Sequence, residues 1–101
     1  PVEVAPFKAH LLDITTDTKG HHQAQSLYET LLKLGLEVLF DDRRQTPAGS
    51  KFADADLIGC PYRLVVSDRT IEQESFEIKR RRDTEGRLVN FDQVNAYFHS
   101  N

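Results

Sequence analysis

The sequence contains no methionine and a single cysteine, Cys60. One cysteine excludes an intramolecular disulfide framework and points to a reducing compartment, so a cytoplasmic setting is expected. With Pro1 first and no Met at any position, the chain reads as a segment of a longer protein. No apolar run approaches the roughly 18 residues of a membrane span, and no basic stretch followed by an apolar one marks a secretory leader. No membrane partner is therefore expected. An excess of basic charge is missing as well. Thirteen Lys and Arg stand against 16 Asp and Glu, a formal charge of −3. That excludes a chain that is polybasic throughout and leaves room for a local basic face. There is no G-x-G-x-x-G, no Walker phosphate loop and no C-x-x-C. No internal repeat or low-complexity tract is visible.

What is present suits one folded domain. The 101 residues are 39% hydrophobic and 29% charged, values of a globular chain rather than a disordered one. A chain of this size buries roughly 65% of its unfolded surface, enough for one core. Residues 1–6 carry two prolines and read as a linker, leaving 7–101 as the domain. Residues 7–13 read as a strand. Residues 21–34 read as a helix, because Ala24, Leu27, Tyr28, Leu31 and Leu34 share one face and Gly35 follows as a stop. Residues 36–40 form a second apolar strand. The segment DDRRQTPAGS is turn chemistry, with Ser50 a candidate cap for a short helix over 51–58. Residues 62–66 form a third strand. Residues 75–81 alternate, with Phe76 and Ile78 on one side and Glu77, Lys79 and Arg81 on the other, so they form a half-buried strand. DTEG reads as a hairpin turn into a strand over 87–89, and Asn90 or Asp92 caps a last helix. Strands alternating with helices imply parallel pairing, so the expectation is an α/β fold with a mixed five-stranded sheet and three helices. The expected core is Leu27, Leu31, Leu34, Leu36, Val38, Phe40, Phe52, Leu57, Leu64, Val66 and Phe98.

Few residues suggest catalysis. The four histidines, His10, His21, His22 and His99, lack the i, i+4 spacing of a helical zinc site and read as surface or cap residues. Cys60 reads as a small packed residue. No metal ligand set and no catalytic residue is assigned. Two charged runs remain. Asp41-Asp42-Arg43-Arg44 lies just past the second strand, where ligands gather in open α/β sheets. Its arginines argue against a bare cation and suit phosphates or guanine edges. The run is equally a solvated loop of self-paired charges. Lys79-Arg80-Arg81-Arg82 serves either as a protective solvated edge or, with Glu77 on the same face, as a reader of base edges.

Residues 36–66, LEVLFDDRRQTPAGSKFADADLIGCPYRLVV, resemble the anticodon-binding domain of class IIa aminoacyl-tRNA synthetases. The shared pattern is an apolar strand, D-D-R, a Gly-containing loop, K-F-A-D-A-D-L-I-G, then a proline and an apolar strand. The flanks P-F-K-A-H-L, S-D-R and E-I-K-R-R-R agree, and within the group the pattern is most similar to bacterial-type prolyl-tRNA synthetases. The resemblance implies a three-layer α/β/α domain with strand order 2-1-3-4-5 and strand 4 antiparallel. It implies recognition of the anticodon loop of proline tRNA. The RNA-binding positions it implies are Arg43, Arg44, Lys51, Phe52, Asp54, Thr70, Glu77, Lys79 and Arg81. Because loops past strand ends gather ligands and alternation puts Glu77, Lys79 and Arg81 on one face, Arg43, Arg44, Lys51, Glu77, Lys79 and Arg81 are expected to converge on one exposed surface beside the second helix and fourth strand. The implied parent is a homodimeric proline–tRNA ligase whose separate catalytic domain uses ATP and Mg; no cofactor is implied for this domain. The alternative is a synthetase-like paralogue or accessory subunit using the same fold as a protein-interaction module.

Overall fold

The computed structural model describes residues 7–99, so the expected linker over 1–6 lies outside the described residues. The described residues form five strands and four α-helices: β1 Ala9–Asp13, α1 Thr18–Lys33, β2 Val38–Asp41, α2 Ala48–Ile58, β3 Tyr62–Val66, α3 Asp68–Glu72, β4 Ser75–Arg80, β5 Arg87–Asn90 and α4 Val94–His99. A 3-10 turn, Phe91–Gln93, leads into α4. The strands form one sheet in the order β2-β1-β3-β4-β5. β1 pairs parallel with β2 and β3, while β4 runs antiparallel to both β3 and β5. The two parallel pairings are reached through helical crossovers, and the reversal at β4–β5 through a short hairpin, as the spacing of the elements requires. Order, mixed pairing and the antiparallel fourth strand agree with expectation.

Two faces carry two cores. On one, Ala24, Leu27 and Leu31 of α1 pack on Ala9, Leu11, Val38, Leu64, Val66, Phe76, Ile78 and Val89, with Val94 of α4 completing the cluster. The other face holds a smaller cluster of Leu12, Ala55 and Val65, flanked by Ile14 and Phe52, where α2 covers β1 and β3. Every residue of β1 is buried, as expected of an interior strand covered on both sides. Beyond β3 the second face opens. Val65, Glu77 and Leu88 lie side by side across β3, β4 and β5, and Leu88 is 45% exposed.

Several boundaries differ from expectation. Helix α1 starts three residues earlier, because the Asp17 side chain accepts a hydrogen bond from Gly20 N at 2.7 Å and caps it. Gly20 belongs to the first turn because it packs on Thr15; a β-carbon there would lie 2.5 Å from Thr15 Cβ. The end of α1 is a Schellman motif, with Gly35 at φ 87° and Leu36 N–H donating to Leu31 O. Helix α2 starts at Ala48 after Pro47, so Ser50 is inside it and not its cap. The five-residue α3, absent from the expected three helices, is held by a capping box between Ser67 and Thr70. Leu57, expected in the core, is 86% exposed. Lys51 and Ala55 are the buried residues of α2, and Leu57 falls on a different side of the helix. Leu36, Phe40, Phe52 and Phe98 are half-buried at the margins of the clusters, and Leu34 is half-buried at the end of α1.

Candidate nucleic-acid interface

Alternation along β3 and β4 builds the site. On β3, Tyr62, Leu64 and Val66 turn toward α1, which leaves Arg63 and Val65 facing α2. On β4, Phe76 and Ile78 enter the α1-side core, so Glu77 and Lys79 face the α2 side. Lys79 lies directly across from Arg63, and Glu77 from Val65. The Arg63 guanidinium sits 5.7 Å from the centre of the Phe52 ring and pairs with Asp56 of α2. An arginine over an aromatic ring beside a lysine and a carboxylate is a platform on which a flat, polar-edged ligand can stack and hydrogen-bond. Arg81 is anchored by its backbone, whose N–H donates to Pro61 O at 2.8 Å. Its guanidinium lies against Gly59, where a β-carbon would be 3.4 Å from Arg81 Cζ. Gly86 leaves room for Glu77, since a β-carbon there would lie 2.5 Å from Glu77 Oε2.

The other candidates are elsewhere. Arg43 lies on the β2 side of α2 and is ion-paired there. Its Nε and Nη2 donate to the two carboxylate oxygens of Asp41 at 2.8 and 2.7 Å, and Nη2 also reaches Asp54 Oδ2 at 2.8 Å. Those bonds hold the Asp41 carboxyl below its ordinary value and push the Arg43 guanidinium up. Arg44 is exposed, with no ion pair among the described residues. Lys51 is buried, and its Nζ donates to Asp13 O at 2.6 Å. Thr70 is buried too, with its hydroxyl spent in the α3 capping box. The expected convergence on one exposed surface is thus corrected. Glu77, Lys79 and Arg81 share the β4 side of α2, Arg43 and Asp54 the β2 side, and Lys51 is interior. Arg63 was not expected at all, although a lone arginine within YRLVV is a legible signal on an otherwise apolar strand.

The remaining polar groups serve the fold. Asp13, at the end of β1, accepts from Thr15 Oγ1 at 2.5 Å and lies 2.8 Å from His21 Nδ1. The Thr15 proton is engaged by the carboxylate, so the hydroxyl is not activated by the imidazole. His10, expected at the surface, is buried in β1 because that strand is covered on both sides, and burial pushes its imidazole down. His22 is exposed. Burial pushes the Cys60 thiol up, which disfavours the nucleophilic thiolate. Among the described residues, no three His, Cys, Asp or Glu side chains are grouped to hold a metal ion, and no helix is long and apolar enough to cross a membrane.

The family described as "Anticodon binding domain" matches residues 2–101. The chain belongs to the anticodon-binding-domain family. A relative named proline–tRNA ligase from Legionella pneumophila (strain Lens) is 44% identical over 97 residues, which is 93% of this chain and 17% of the relative. One of the same name from Elusimicrobium minutum is 46% identical over 87 residues, or 84% of this chain and 15% of the relative. The chain thus spans about one-sixth of the length of these curated relatives. Among solved structures, the RNA-binding domain of threonyl-tRNA synthetase from Cryptosporidium parvum Iowa II superposes with a TM-score of 0.78 at 22% identity, over 94% of this chain and 23% of that one. That likeness is one of fold.

Proposed function

We propose that this chain is the anticodon-recognition domain of a proline–tRNA ligase and that it reads the anticodon loop of proline tRNA on the α2 side of β3, β4 and β5. The observation that carries the reading is the side-by-side placement of Arg63, Lys79 and Glu77 beside the Phe52 ring. Anticodon bases are splayed from the stack, so their faces and edges are both available. Proline anticodons share two guanines. A lysine or arginine donates to guanine O6 and N7, and a carboxylate accepts from N1–H and the N2 amino group. Phe52 and the Arg63 plane supply stacking surfaces, and Arg81 borders the same area. The site mixes an acceptor with donors, which favours base reading over phosphate binding alone. The parent's ATP- and Mg-dependent chemistry, its homodimeric state and its cytoplasmic setting belong to the same proposal.

Binding of tRNA transcripts at stated salt tests it. Lys79→Ala weakens binding of the proline-anticodon transcript by about 1–3 kcal/mol and loses discrimination against swapped anticodons. Equal binding of the wild-type chain to proline and non-proline anticodons, unchanged by Lys79→Ala, defeats the reading and leaves the protein-interaction module.

A further inference from the structure

Gly86 sits in the hairpin between β4 and β5, immediately before Arg87. Its backbone does not demand glycine. Gly35 and Gly59 have positive φ, and Gly86 does not. No packed core surrounds it either, in contrast to Gly20 against Thr15. The space beside Gly86 is taken by one side chain. A β-carbon there would lie 2.5 Å from Glu77 Oε2, 2.8 Å from Cγ and 2.9 Å from Cδ, and apart from its chain neighbours these are the three nearest atoms. Glu77 is half-buried, flanked in register by Val65 and Leu88. Its carboxylate has no hydrogen bond or ion pair among the described residues. An acceptor held in a notch and left unpaired by its own chain is open to a donor from outside.

We infer that Gly86 is a positioning residue for base reading: its missing side chain keeps the notch in which the Glu77 carboxylate lies, and so sets specificity for the donor edge of guanine. The inference deepens the proposed reading of the anticodon and rests on it. Guanine offers a carboxylate two donors, N1–H and the N2 amino group, and inosine offers N1–H alone. A side chain at position 86 would drive the carboxylate out of its place, because an added carbon in filled space forces its neighbour off its rotamer. The neighbour is a flexible, half-buried side chain, so the cost falls on recognition and not on folding.

The test measures binding of proline-anticodon stem-loops in which each of the two shared guanines is replaced in turn by inosine, at stated salt. The wild-type protein is expected to prefer guanine at one of these positions by about tenfold, the worth of a charge-assisted hydrogen bond. Gly86→Ala brings that preference below about twofold, as loss of the bond requires, and leaves the midpoint of urea unfolding unchanged. A retained preference overturns the inference. So does a lowered midpoint, because the glycine then serves the hairpin. In the Glu77→Ala background, which removes the three atoms that the β-carbon meets, Gly86→Ala has no further effect on binding; an additive loss overturns the inference as well. Wild-type binding to proline and non-proline anticodons is measured in parallel. If the two are bound alike, the recognition reading fails. If they are discriminated while guanine and inosine are not, or while Gly86→Ala keeps the guanine preference, only the positioning inference fails.

Discussion

Lys51 takes an ammonium group into the interior and gives it one strong partner, Asp13 O at 2.6 Å. Removing that group while keeping the stem strands a buried carbonyl. Lys51→Met therefore lowers stability by about 1–3 kcal/mol in urea unfolding. Full stability with weakened tRNA binding would instead mean that Lys51 leaves this bond to meet RNA. Arg43 makes a pH-dependent contribution. Its bonds hold Asp41 below the ordinary value of 3.8, so the stabilisation is complete above about pH 4 and fades as pH falls through the lowered folded value. Arg43→Gln is accordingly less stable than the wild type at pH 7, and the gap closes on acidification below pH 4 in denaturant titrations. A gap independent of pH would rule out the Asp41 carboxylate as its source. Local spacing does not show either role. The partner of Lys51 is 38 residues away, and a charge near a helix start reads the same in sequence whether it points outward or inward. Thr70 was hidden for a similar reason, since its hydroxyl is consumed by Ser67 inside a helix too short to betray a period.

The long helix and the strands were legible, and the five-residue α3 was not. The apolar face of α1 could be read from Ala24, Leu27 and Leu31, all buried. Leu31→Ala is expected to cost about 2–5 kcal/mol in chemical denaturation, because the side chain is fully buried and the cavity collapses only in part. A loss below about 1 kcal/mol would mean that α1 repacks around the gap. β3 matched its expected limits because Pro61 before it and Ser67 after it bound the run sharply. Helix α2 misled in one respect. Phe52, Ala55 and Ile58 recur at helical spacing, but the helix covers the sheet through Lys51 and Ala55. A buried lysine breaks the apolar pattern, and Leu57 was assigned to the core by hydrophobicity alone. The proposed reading surface was half legible for a matching reason. The alternation that buries Phe76 and Ile78 also fixes the side taken by Glu77 and Lys79. Which side of α2 each remaining candidate occupies is a tertiary fact.

At the scale of the whole molecule, the formal charge of −3 sets how this domain can meet RNA. A net negative domain gains little from long-range attraction, so affinity has to come from contacts on a small surface. The logarithm of affinity for an anticodon stem-loop is expected to fall with the logarithm of salt at a slope no steeper than about −2, corresponding to two or three neutralised charges. A slope beyond about −4 would mean that phosphate contacts dominate and that base reading is secondary. Strand β4 has a further consequence, for how such a domain diversifies over generations. Its odd-numbered positions, Glu77 and Lys79, border the open half-face, while Phe76 and Ile78 hold the packed side. A codon change at 77 or 79 alters the proposed reading surface on the side of β4 opposite the buried Phe76 and Ile78. If those positions read the anticodon as proposed, the strand separates the side chains that set recognition from the ones that hold the core, so a lineage can vary the first set while selection keeps the second.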